Sequence, residues 1–90
     1  MYEIVWDLRK AHANFAKHGV RFSDAATVLD DPRALTIEDR RFDEPRWVTI
    51  GMDLSGHVCV VVYSFPSASQ VRLISARSAT RRERMPYVET

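Results

Sequence analysis

The stretch Val58-Cys59-Val60-Val61-Val62-Tyr63-Ser64-Phe65 decides the fold. It is almost unbroken in its hydrophobicity, and three consecutive valines stiffen it toward extended backbone. A strand that does not alternate is covered on both faces, so this one belongs in the interior of a sheet. The flanking residues say how its neighbours run. Asp53-Leu54-Ser55-Gly56 precedes it and Pro66-Ser67-Ala68-Ser69 follows it, and both have turn composition. Beyond these turns lie Arg46–Met52, with Val48, Ile50 and Met52 on one face, and Val71–Ala76. Strands joined so briefly run antiparallel. A weaker alternation over Ala34–Glu38 predicts one more strand.

The first third of the chain reads differently. Tyr2–Trp6 alternates as a short strand, and Asp7 is placed to cap a helix. Leu8, Ala11 and Phe15 recur at helical spacing and are expected to face the core, with Lys10, Asn14 and Lys17 on the flank. Gly19 fits the left-handed position that ends a helix over Leu8–His18. Ser23 is read as the cap of a second short helix, with Ala25, Val28 and Leu29 inward, and Asp31-Pro32 stops it. Near the other end, Thr80 and Glu83 form a capping box, and Pro86 predicts a short or kinked final helix. The expected fold is α+β, one domain over residues 1–90. It has a single antiparallel sheet, two N-terminal helices packed on one face, and a short C-terminal helix.

Composition narrows the classes. With 46% hydrophobic residues among 90, the chain can bury one modest core. No apolar run approaches the roughly 20 residues of a membrane helix. The start, Met1-Tyr2-Glu3-Ile4-Val5-Trp6, lacks a basic segment followed by a long apolar one, so a cytoplasmic protein without a secretory leader is expected. The lone Cys59 sits among valines, and with three scattered histidines it shows no metal-ligand spacing; neither metal nor cofactor is expected. The net charge of +1 hides an asymmetry. Val71–Thr90 has five basic residues against two acids, and Asp30–Glu44 has six acids against three basic residues. A basic end of this kind suits a polyanion. Within it, Arg77, Arg81 and Arg84 share a face if read on a helical path, and guanidinium forks match phosphate oxygens. The same run also reads as a solvated helix end.

Several pieces occur in one order: Ile4-Val5-Trp6-Asp7, Lys17-His18-Gly19-Val20, Phe22-x-x-Ala25-Ala26, Asp31-Pro32, Glu44-x-Arg46, and Ile74-Ser75-Ala76-Arg77 through Glu83-Arg84. Together they resemble the BrnT family, the toxins of BrnT–BrnA toxin–antitoxin pairs. The family pattern has a longer charged terminal helix, which Met85-Pro86-Tyr87 interrupts here. The resemblance implies a RelE-like ribonuclease fold and inhibition of translation by RNA cleavage. It implies a BrnA-like, DNA-binding antitoxin as partner, RNA as substrate, and the ribosome as a further candidate partner.

By that analogy the reaction is metal-independent. The substrate 2′-OH attacks phosphorus, the 5′-oxygen leaves, and the protein moves protons and neutralises phosphoryl charge. His18 is the candidate proton carrier, because imidazole titrates near neutrality; a histidine there also suits capping of the last helical carbonyls. Arg77 and Arg81 are candidates for charge stabilisation. Arg77 equally suits a brace to Glu44 or Asp43. Glu44 is a candidate base oriented by Arg46, or the acid of a surface ion pair. Lys10, Lys17, Arg46, Tyr63 and Arg84 are candidate RNA contacts; Lys17 also suits a solubilising helix face, and Tyr63 a buried aromatic with a satisfied hydroxyl. Trp6 and Trp47 are assigned to the core or to the antitoxin surface, and His57 to a solvated turn. Two other classes fit the same residues: a non-catalytic RNA- or ribosome-binding module, and a catalytically inactive partner of a DNA-binding antitoxin.

Overall fold

The computed structural model describes residues 2–88. Five strands form one sheet in the order β1-β5-β4-β3-β2, where β1 is Glu3–Val5, β2 Leu35–Asp39, β3 Arg46–Met52, β4 Val58–Ser67 and β5 Gln70–Ser78. The valine strand β4 lies at the centre. Val61 is fully buried and Val60 nearly so, one on each face. The turns act as their composition requires. Asp53 Oδ1 accepts from Ser55 N and His57 N, and Gly56 takes a φ of 88°. The second turn is tighter than expected: Pro66 and Ser67 continue β4, with register shifts between Ser64 and Ser67.

The sheet is not wholly antiparallel. β2 to β5 pair antiparallel, as their short connections demand, but β1 pairs with β5 in parallel, Ile4 opposite Val71. The turn rule does not reach β1, because helices and the whole of the remaining sheet separate it from β5 in the chain.

Helix α1 (Leu8–His18) has the expected ends. Asp7 Oδ1 accepts from Lys10 N at 3.0 Å, and Gly19, at φ 71°, donates its N–H to Phe15 O. Its orientation differs from the expectation. Ala11 packs on the core, but Leu8 and Phe15 are exposed. The buried polar residue is Asn14, whose amide meets β5 beyond the end of β1. Helix α2 (Phe22–Ala25) begins after Arg21 and contains Ser23, so Ser23 is not its cap. A 3₁₀ segment, Ala26–Asp30, continues it. The core gathers Val20, Phe22, Ala25 and Val28 against Cys59, Val61, Tyr63, Val71, Leu73 and Ala76. On β3 the buried side is Thr49 and Gly51; Val48 and Ile50 are half-covered and Met52 is exposed.

Helix α3 (Arg81–Val88) contains Pro86. The capping box forms: Thr80 Oγ1 accepts from Glu83 N, and Glu83 Oε1 accepts from Thr80 N. Val60 and Arg77 are opposite one another across β4 and β5 and so share the face turned away from Val61 and the core helices. Arg77 holds Glu83 of α3, which places the start of α3 on that second face. At its far end the buried Tyr87 donates its hydroxyl to Asp31 Oδ2, which also accepts from Met52 N. This bond from Tyr87 is the main reason the Asp31 carboxyl stays below its usual range.

Candidate functional site

Among the described residues, the outer edge of β5 beyond Arg72 has no strand neighbour, since β1 pairs with Gln70, Val71 and Arg72. An open edge has backbone donors and acceptors to satisfy. Asn14 does this for one residue: its Nδ2 donates to Ala76 O at 2.8 Å and its Oδ1 accepts from Ala76 N at 3.0 Å. The side chain thus stands in for a strand residue and lays α1 along the edge. Lys10, Lys17 and His18 follow on the same stripe of α1. With Ile74 and Ser75 of β5 they border a groove of about 250 Å³. Lys10 also borders the adjoining cleft, which runs past Val5, Trp6 and Asp7 to Arg72.

The edge of β5 is therefore a basic channel. Arg72, about half exposed, lies at one end and His18, half-buried, at the other. The acids beside it are few. Asp7 is engaged in capping α1, and Glu44 Oε1 stands 3.9 Å from Arg72 Nη1. That separation is a loose, solvent-exposed contact of little energetic value. Such a channel can hold an anionic backbone, with an imidazole at one end and a carboxylate near the other.

Three of the sequence candidates, Lys10, Lys17 and His18, meet here, and Glu44 stands at the far end against Arg72. The others lie elsewhere. Arg77 is a strand residue, so Arg77, Arg81 and Arg84 do not form one helical stripe. Its guanidinium donates to both oxygens of Glu83, at 2.7 and 2.8 Å. The brace anticipated for Arg77 exists, with Glu83 in place of Glu44 or Asp43. This pairing, together with the Thr80 N–H, holds the Glu83 carboxyl down to about 2 and raises Arg77 further above its ordinary value. Arg81 and Arg84 are exposed on α3. Arg46 stacks on Phe42, its Cζ 3.9 Å from the ring centre, instead of pairing with Glu44. Tyr63 is buried, and its hydroxyl shares a hydrogen bond with Thr49, which is joined in turn to Thr36. Trp6 and Trp47 pack partly buried against the core.

Two contributors escaped sequence reasoning. Arg72 alternates with the buried Val71 and Leu73, a pattern that marks an outward side chain. Asn14 had no comparable mark, since an asparagine on a polar flank looks solvated. A third grouping arises from the hairpin. Asp53, His57 and Cys59 bring potential ligand atoms within 4.8 Å of one another. Asp53 Oδ1 there accepts from Ser55 N, Ser55 Oγ and His57 N, which closes the turn. Burial, with Asp53 and Asp24 adding to it, pushes the Cys59 thiol up to about 11. His57 is not merely solvated, because its Nε2 meets Ser78 Oγ at 2.9 Å.

Among the described residues no helix is long and apolar enough to cross a membrane. A family model described as the ribonuclease toxin, BrnT, of type II toxin–antitoxin systems matches residues 6–83. Among solved structures, the chain is similar to the Brucella abortus ribonuclease toxin BrnT. The two are 25% identical, with a TM-score of 0.68, over 90% of this chain and 100% of that one. No curated protein matches.

Proposed function

The chain belongs to the family of BrnT ribonuclease toxins of type II toxin–antitoxin systems, and on that premise we propose that it cleaves RNA bound along the open edge of β5. The observation that carries this placement is the convergence of Lys10, Lys17 and His18 with Arg72 in one channel. Lys10, Lys17 and Arg72 hold successive phosphates. His18 moves a proton at the scissile one; Glu44, at the opposite end of the channel, sets the charge beside Arg72. The reaction needs no external co-reactant. The 2′-oxygen loses its proton to a base as it bonds to phosphorus, the bond from phosphorus to the 5′-oxygen breaks, and that oxygen takes a proton from an acid. A metal ion is not required for these transfers. Arg77 acts through Glu83 by fixing α3, whose exposed Arg81 and Arg84 extend the cationic surface. Arg46 and Tyr63 support the sheet beneath.

The whole chain, residues 1–90, serves as one toxin domain of RelE-like organisation. It works in the cytoplasm on translated RNA, free or on the ribosome, and is silenced by a DNA-binding antitoxin. The test is cleavage of RNA by purified protein in the presence of a chelator, for the parent and for His18→Ala. The variant should bind RNA as the parent does and cleave it about 10²–10⁴-fold more slowly, as expected for a lost proton carrier. Cleavage at the parental rate would remove His18 from the mechanism. RNA bound by the parent but left intact, with or without divalent ions, would leave a binding module.

A further inference from the structure

Leu8, Ala11 and Phe15 form an apolar stripe that the fold uses only in part. Ala11 reaches the core, while Leu8 is 71% exposed and Phe15 42%. The two border an open groove of about 350 Å³ between α1 and α2. Trp6 and Phe22 also line it, in edge-to-face contact with ring centres 6.0 Å apart. Arg21 lies over the Phe15 ring at 4.4 Å. Among the described residues no carboxylate lines this groove; its ionisable groups are Arg21 and His12. A contiguous exposed apolar patch rimmed by polar side chains is a mark of an interaction surface.

We propose that this groove is the docking site of the antitoxin. It would take an amphipathic segment whose apolar side chains contact Leu8, Phe15 and Trp6 and whose acidic side chain meets Arg21. The proposal rests on the toxin–antitoxin reading above for the existence of a protein partner. The charge of the groove favours that occupant over others. A second copy docked groove to groove by two-fold symmetry would bring the same lining from both sides, with no carboxylate to meet Arg21. A nucleic acid finds its cations in the β5 channel, on a different face of α1. The two faces are about a third of a turn apart, at 100° per residue. An occupant of the apolar groove thus lies beside the RNA channel, and a chain continuing across α1 closes it.

The test compares the parent with Leu8→Ser/Phe15→Ser and with Arg21→Glu by calorimetric titration with the cognate antitoxin, RNA cleavage being measured in parallel. The double variant should lose about 100-fold or more in antitoxin affinity, the range of a disrupted apolar anchor, and should keep its cleavage rate. Arg21→Glu should weaken binding about tenfold or more and flatten its salt dependence. It changes only an exposed side chain, so it decides the matter if the double variant does not fold. Ile37→Ser, at an equally exposed apolar position on β2 (67%), should change nothing. Parental affinity in the double variant and in Arg21→Glu would overturn the proposal, as would a loss confined to Ile37→Ser. A parent that binds antitoxin but cleaves no RNA would overturn the catalytic reading and leave the docking site standing.

Discussion

Asn14 uses both polar atoms of its side chain. Its nitrogen donates to Val20 O at 3.0 Å as well as to Ala76 O, and its oxygen accepts from Ala76 N. Asn14→Ala would leave buried backbone groups of β5 without partners, at about 2–4 kcal/mol. Urea unfolding measures this, and a loss under about 1 kcal/mol would show that water replaces the amide. Glu83 gives a prediction with a pH window. Its folded carboxyl lies at about 2, chiefly because of Arg77, against an ordinary 4.5. A depressed acid stabilises the fold above its unfolded value, and that contribution fades as pH falls from about 4.5 toward 2. The pair is partly exposed, with side chains at 39% and 30%, so solvent screening reduces its worth to about 1–2 kcal/mol. Glu83→Gln should lose that much at pH 7, and the gap to the parent should close in acid. A gap unchanged between pH 7 and 3 would mean that the charge of Glu83 contributes nothing.

Elements were legible where local chemistry governs them. The bounds of α1 and β3, the Asp53–Gly56 turn and the capping box at Thr80 all follow from residues within a few positions of one another. The parallel seat of β1 was not legible, because its partner lies 67 residues away and no turn dictates the direction. The facing of α1 misled for a related reason. Its apolar stripe points to a groove, and a polar residue makes the contact with the sheet. The start of α2 lay outside the cap rule, since Arg21 precedes it without a side-chain cap bond. β3 must approach the 3₁₀ segment closely. A Cβ on Gly51 would sit 2.9 Å from Val28 Cγ1, 3.1 Å from Ala34 Cβ and 3.3 Å from Asp31 Oδ2. Val28 is fully buried and has little room to move. Gly51→Ala should therefore cost about 1–3 kcal/mol. For a domain of this size the melting temperature should fall by about 4–8 °C per kcal/mol. A melt equal to the parent's would show that the segment can shift.

Across the whole molecule, the charge asymmetry was visible in the sequence but its location was not. Counting placed the cations at the strand-to-helix joint. Folding instead neutralises Arg77 there and assembles the channel from two distant segments, α1 and the Arg72–Ser75 run of β5. Pairing decides which arginines are available to a polyanion. Among the described residues Arg72 has a loose partner at 3.9 Å, whereas Arg77 has a bidentate one at 2.7 and 2.8 Å. A phosphate contact releases counterions, so for single strands each one adds about 0.7 to the steepness with which log affinity falls against log salt. Arg72→Gln should therefore weaken RNA binding and flatten that dependence by about 0.7. Arg77→Gln, compared at temperatures of equal folded fraction, should leave the slope unchanged and lower the melting temperature. Glu44→Gln should tighten RNA binding slightly by removing the acid beside Arg72, and should leave the cleavage rate unchanged. Filter binding of a short single-stranded RNA over a range of salt concentrations separates the cases. A slope altered by Arg77→Gln but not by Arg72→Gln would move the RNA from the edge of β5 to the joint before α3.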